Sequence, residues 1–190
     1  MADSPKKRAT YEDVVNAPEH MVAEIIDGDL LLFPRPARPH AVASAALGEE
    51  LGPPFKRGRG GPGGWIILNE PEFHLGEDVL VPDLAGWRRE RMPVITTEIP
   101  YFSLSPDWLC EVLSPSTAAV DRVRKLPIYA REKVGHVWLV DPLLRTLEVL
   151  RRQDRAWLVV ATYQGDAKIR AEPFDAIELD LGILWADVQL

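Results

Sequence analysis

A mixed α/β fold is the architecture this sequence predicts, and three observations carry it. Two short, almost unbroken apolar runs, DWLCEVL (107–113) and VWLVD (137–141), have the length and composition of strands buried on both faces. The segment between them, AAVDRVRKLPIYAREK, reads as a helix, and strand, helix, strand with both strands apolar implies a right-handed parallel crossover. Strand pairs around tight turns stand before and after this unit, so the sheet is expected to be mixed, flanked by helices, with an N-terminal hairpin and a C-terminal β extension.

The elements follow in order. Residues 1–9 are polar and read as a flexible N-terminus, with one domain expected over 10–190. Thr10 followed by Asp13 fits a capping box, in which the threonine hydroxyl accepts a backbone N–H, so a short helix should run towards Pro18. MVAEIIDGDLLLF (21–33) reads as two strands around Asp27-Gly28, a pair suited to the positive φ values of a tight hairpin. Alternation then groups Val22, Glu24 and Ile26 on one face, so an acid shares a face with apolar residues. PRPARP (34–39) is irregular, and HAVASAALGEEL (40–51) is a helix opened by His40 and ended by Gly52-Pro53-Pro54.

RGRGGPGG (57–64) is a glycine-rich loop without the Gly-Lys-Ser/Thr ending of a phosphate-binding loop. WIILNEPEFHL and EDVLVPDLAGW are expected to be two strands around a turn near Gly76, followed by an irregular connection to Pro106. SPST (114–117) supplies capping hydroxyls to the crossover helix, which is expected to end at Gly135. TLEVLRR and AWLVVATY form a hairpin around Gln153-Asp154, and IELDLGILW is an apolar closing segment.

Composition narrows the function. The chain has 190 residues, 46% hydrophobic and 27% charged, with no apolar run of the roughly 18 residues a membrane span needs. No leader-like apolar segment follows the polar start, so a soluble cytoplasmic protein is expected. The single cysteine, Cys110, lies inside an apolar run and reads as a buried structural thiol. A net charge of −7 argues against a protein that coats nucleic acid, although KRGR (56–59), RRER (88–91) and RVRK (122–125) leave room for a local basic surface.

Chemistry concentrates at two carboxylates placed where the pattern predicts the interior. If Asp83 ends one strand and Glu111 lies in the next, both pointing to one side, they form an oxygen-rich pocket of the kind Mg²⁺ or Mn²⁺ prefers. Lys125, 14 residues after Glu111 on the following helix, is the candidate cation for the attacking water and a phosphate oxygen. Tyr129 shares its helical face if Pro127 does not break the helix. Paired carboxylates also serve glycoside hydrolysis, but that reading leaves Lys125 unexplained.

Taken together, Thr10-Tyr11-Glu12, Glu24-Ile-Ile-Asp-Gly-Asp, His40 opening a helix, Pro82-Asp83, Glu111-Val-Leu-Ser-Pro-Ser-Thr, Lys125 with Tyr129, and Val137-Trp-Leu-Val-Asp-Pro resemble the Uma-type restriction endonucleases of the PD-(D/E)xK nuclease superfamily. The resemblance runs from Thr10 to Trp185. It implies a restriction-endonuclease-like core and metal-dependent phosphodiester hydrolysis, with DNA as substrate and Mg²⁺ or Mn²⁺ as cofactor. Asp83 and Glu111 would be metal ligands, Glu24 an accessory acid, Lys125 the catalytic lysine, and His40 and Tyr129 possible accessory groups. The superfamily's usual lysine position, two after the acid, is Leu113 here, so Lys125 is read as a migrated lysine. A homodimer would serve cleavage of both strands of a duplex. The alternative is a non-catalytic nucleic-acid-binding or interaction module on the same fold.

Overall fold

The computed structural model describes residues 7–188; residues 1–6, most of the stretch expected to be flexible, lie outside them. Ala9 donates its N–H to the Gly28 carbonyl at 2.8 Å. Helix α1 (Tyr11–Val15) begins where the Thr10 cap predicts. There both the N–H and the hydroxyl of Thr10 donate to Asp13 Oδ2, at 2.7 and 2.9 Å.

Strands β1 (Met21–Ile26) and β2 (Asp29–Pro34) pair antiparallel with Ile26 opposite Asp29, so Asp27 and Gly28 alone make the turn, at φ 55° and 84°. Both central residues have positive φ, as a tight hairpin requires. Helix α2 (Arg38–Leu51) starts two residues earlier than its sequence signal, with Pro39 in its first turn. It then widens instead of stopping. Pro53 and Pro54 lack the N–H groups of an α ladder, and a π turn over Gly52–Lys56 closes with Arg57 N–H on the Gly52 carbonyl at 3.1 Å.

The long strand pair expected around Gly76 is four short strands in two sheets. These are β3 (Trp65–Asn69), β4 (Phe73–Leu75), β5 (Asp78–Leu80) and β6 (Leu84–Arg88). Pro71 and Pro82 cannot donate to a ladder, and Glu70 turns the chain at φ 46°, so each run breaks and changes partner. Strands β5 and β4 extend the hairpin into a four-stranded sheet, β2-β1-β5-β4. Strands β3 and β6 join the larger sheet.

In that sheet β7 (Trp108–Val112) runs parallel to β8 (His136–Asp141), with Glu111 beside Leu139. Strands β9 (Thr146–Gln153) and β10 (Ala156–Gln164) complete the six-stranded order β10-β9-β8-β7-β6-β3, and β11 (Lys168–Ile169) pairs separately with β12 (Leu179–Asp180). The mixed α/β class and the parallel crossover are as the sequence predicts.

The crossover comprises α3 (Ala118–Val120), a π turn over Asp121–Lys125, and α4 (Leu126–Arg131) without interruption. The wide turn accommodates the N–H missing at Pro127. Lys133, at φ 65°, is the left-handed residue that ends the helix, where Gly135 was expected. Gly135 has a different reason to be glycine: a Cβ there would stand 2.8 Å from the Asp107 carbonyl oxygen.

Alternation along β7 sends Trp108, Cys110 and Val112 to a core shared with α2, and Leu109 and Leu113 to a second core shared with Ile128 and Tyr129 of α4. Glu111 therefore faces the crossover helix.

Candidate active site

Each candidate carboxylate is oriented by an element boundary. Asp83 does not end a strand; it stands in the break between β5 and β6, and ladder pairing of β6 with β7 stops at Leu84 and Cys110. The Val112 N–H lies beyond that last pair, and Asp83 Oδ2 accepts it at 2.6 Å. Its Oδ1 lies 3.1 Å from His40 Nε2 at the start of α2. The same break frees the Val81 N–H, which donates to Glu24 Oε1 at 2.7 Å.

Lys125 lies among three acids, its ammonium 3.0 Å from Glu24 Oε1, 3.2 Å from Asp121 Oδ1 and 3.4 Å from Glu111 Oε1. Tyr129 donates its hydroxyl to the same Glu111 oxygen at 2.5 Å. Lys125 and Tyr129 thus do share a helical face. The cluster is deep: Glu24 is 1% exposed, Glu111 and Asp121 3%, Lys125 5%. Glu24 Oε2 is buried with no partner among the described residues.

Burial opposes charge on Lys125, but Glu111, Glu24 and Asp121 outweigh it and hold the ammonium well above its ordinary pKa. Burial pushes Glu24, Glu111 and Asp121 up, and Lys125 offsets only part of that push. Tyr129 is raised by burial and by the neighbouring Glu111 and Glu24 charges, so it remains a hydroxyl donor. For His40 burial disfavours the cation, yet the hydrogen bond and charge of Asp83 win and its pKa is raised.

Apart from Tyr129, these groups line one cavity of about 270 Å³, together with Phe33, Pro36 and Pro115. Glu24, Glu70, Asp83, Glu111 and Asp121 line it, against Lys125, Arg35 and His40. The wall therefore carries surplus negative charge. Among the described residues no three His, Cys, Asp or Glu side chains are grouped so as to hold a metal ion. The donor chemistry, hard oxygens with surplus charge and a buried unpartnered lone pair on Glu24, fits a divalent cation that retains much of its water shell.

The sequence model of the Uma2 family, described as "Putative restriction endonuclease", matches residues 9–182. The chain belongs to the Uma2 family.

Among solved structures, the Uma2 chain is similar to a "putative nuclease" from Anabaena variabilis, with a TM-score of 0.75 at 21% identity, covering 94% of this chain and 98% of that one. At that identity the likeness shows the fold, which is restriction-endonuclease-like. Comparison with curated proteins finds no match. Family and fold together support a nuclease. No helix among the described residues is long and apolar enough to cross a membrane.

The structure brings Glu24, His40, Asp83, Glu111, Lys125 and Tyr129 to this one region. Sequence reasoning missed Asp121. Its signal was an acid four residues before Lys125, the spacing at which helical side chains meet. It also missed the Val81 and Val112 amides, which carry no side-chain signature.

Proposed function

We propose that this Uma2 chain is a divalent-metal-dependent endonuclease that hydrolyses phosphodiester bonds in DNA. The observation that carries this reading is the position of Lys125, which reaches Glu111 from the helix after β7. It places a permanent cation beside the acid even though position 113 is leucine.

Asp83 and Glu111 would hold Mg²⁺ or Mn²⁺, which when bound would acidify a water and neutralise charge developing on the phosphoryl group. The chain's own residues do the rest. Lys125 keeps its proton and directs it at the attacking oxygen and a phosphate oxygen. Asp121 and Glu24 fix the lysine in place, and Glu24 Oε2, unpartnered and with a raised pKa, can take up a proton released in the recess. The Tyr129 hydroxyl holds Glu111 in one orientation, while His40 and the Val112 N–H do the same for Asp83. We place these parts in one domain over residues 10–190, acting in the cytoplasm as a homodimer whose two sites address the two strands of a duplex or of separate molecules.

Plasmid nicking with Mg²⁺ or Mn²⁺, paired with Mn²⁺ calorimetry, tests the reading. The parent should cut and bind metal, and Asp83→Ala and Glu111→Ala should lose both. A parent that binds nucleic acid but takes up no Mn²⁺ and cuts nothing is a binding module instead.

A further inference from the structure

Two basic clusters far apart in sequence meet in space. Arg88, at the end of β6, pairs with Trp65, the first residue of β3, and the Arg89 N–H donates to the Gly64 carbonyl at 2.9 Å. The loop RGRGGPGG and the turn Arg88–Arg91 therefore form one surface, at the edge of the large sheet where β3 lies.

Lys56, Arg57, Arg59, Arg88, Arg89 and Arg91 stand there against Glu90 and Asp107, six positive charges to two negative, a local excess of four on a chain whose net charge is −7. Asp107 is already engaged, accepting from Arg91 at 2.8 Å and from the Arg88 N–H at 2.8 Å. Arg88 lies over the Trp65 ring at 4.6 Å. Arg57, Arg59 and Arg89 are exposed, and no ion pair or side-chain hydrogen bond among the described residues engages them. Guanidinium groups in excess over the neighbouring carboxylates present repeated donors to a polyanion, and forked N–H groups match phosphate oxygens.

We propose that this arginine and glycine surface docks the phosphate backbone of a single-stranded DNA whose scissile phosphate enters the carboxylate recess. This rests on the nuclease reading and adds where the strand is held and in what form. The preference for a single strand follows from depth. Glu111 and Lys125 are 3% and 5% exposed in a cavity that Phe33, Pro36 and Pro115 also line. A backbone braced in a duplex lowers one phosphate into such a recess less readily than an unpaired strand, which can bend into it, so a supercoiled plasmid is expected to be cut where its strands open. Asp83 precedes β6 and Arg88 ends it, roughly 17 Å apart at about 3.4 Å per residue step. The arginines and the recess therefore lie at opposite ends of a buried strand, and the docked DNA passes around the β3 edge of the sheet, a path longer than about five stacked nucleotides.

The test is binding of a fluorescent pyrimidine strand to the full chain in Ca²⁺ or EDTA across a salt series, for the parent and for Arg57→Gln, Arg59→Gln and Arg89→Gln combined. Losing three contacts to a single strand should reduce the salt slope by about 2, at about 0.7 per phosphate, and weaken binding about tenfold or more at low salt. Hydrolysis of bis(p-nitrophenyl) phosphate, too small to reach the arginines, should be unchanged. A parent that cleaves DNA while the triple variant keeps its slope and affinity overturns this surface and leaves the nuclease reading standing. A duplex that outcompetes the single strand overturns the single-strand assignment. A parent that neither binds nor cleaves nucleic acid overturns the nuclease reading, and this inference with it.

Discussion

Replacing Lys125 with methionine keeps most of the side chain's length and removes its charge from among Glu24, Asp121 and Glu111. At contacts of 3.0 to 3.4 Å, each pair is worth about 5 kcal/mol at an effective dielectric near 20. Repulsion among the acids and the desolvation of the ammonium cancel much of that. Removing one member of a buried ionic cluster typically costs about 3–5 kcal/mol, which is the expected loss for Lys125→Met at pH 8. The chain can soften the loss by protonating the stranded acids, since a tenfold gain in a carboxylate's proton affinity is worth about 1.4 kcal/mol. Their folded-state pKa values, already raised in the parent, would rise further in the variant. Raised carboxylates bind more protons folded than unfolded, so stability falls as pH rises above their ordinary range, more steeply without the lysine. The deficit should therefore grow from pH 5 to pH 8. Urea denaturation of metal-free protein at both values measures it, and nicking by the folded fraction should drop about a hundredfold to a thousandfold. A deficit under about 1 kcal/mol at pH 8, or one independent of pH, would refute the account of Lys125 as the counter-charge of this cluster.

The parent has its own pH signature. Glu24 and Glu111 are raised from 4.5, Asp121 from 3.8 and His40 from 6.5, and all four shifts make metal-free stability decline as pH rises through this range. Mn²⁺ should oppose that decline, so its thermal shift should be larger at pH 8 than at pH 5.5; differential scanning fluorimetry showing equal shifts counts against an acid-lined metal site. Tyr129→Phe removes the hydroxyl donor to Glu111, and should cost about 1–2 kcal/mol and move the acid limb of the pH–rate profile upward. An unmoved limb would mean that Tyr129 only fills space. Gly135→Ala forces a Cβ to 2.8 Å from the Asp107 carbonyl oxygen, a backbone clash expected to cost about 1–3 kcal/mol in denaturation midpoints while leaving activity per folded molecule intact.

How far the sequence could be read depended on whether a feature was local. The Asp27-Gly28 hairpin, the Thr10 cap and the two apolar strands of the crossover each have a signal within a few residues, and each appears where that signal lies. The split of the 65–87 region into two sheets has no local signal beyond Pro71 and Pro82, because apolar runs on both sides of each proline suit either sheet. Glu24, Asp83 and Glu111 were visible as acids in apolar runs. Asp121 lay in a charged helical stretch, where an acid usually faces water, and only the burial of that helix face shows otherwise. The π turns at 52–56 and 121–125 lay beyond sequence reasoning, since prolines predict a break and say nothing of how the chain widens around it.

The anchoring of Glu24 by the Val81 N–H and of Asp83 by the Val112 N–H makes two of the site's acids resistant to drift. A side-chain anchor is lost whenever its codon changes, but a main-chain donor survives every replacement at its position except proline. Residues 81 and 112 can therefore vary with packing demands while the carboxylates keep their aim. The aim itself is written into where two strands end, so insertions or deletions near Pro82 or at the end of β7 should be more damaging than substitutions at the same places.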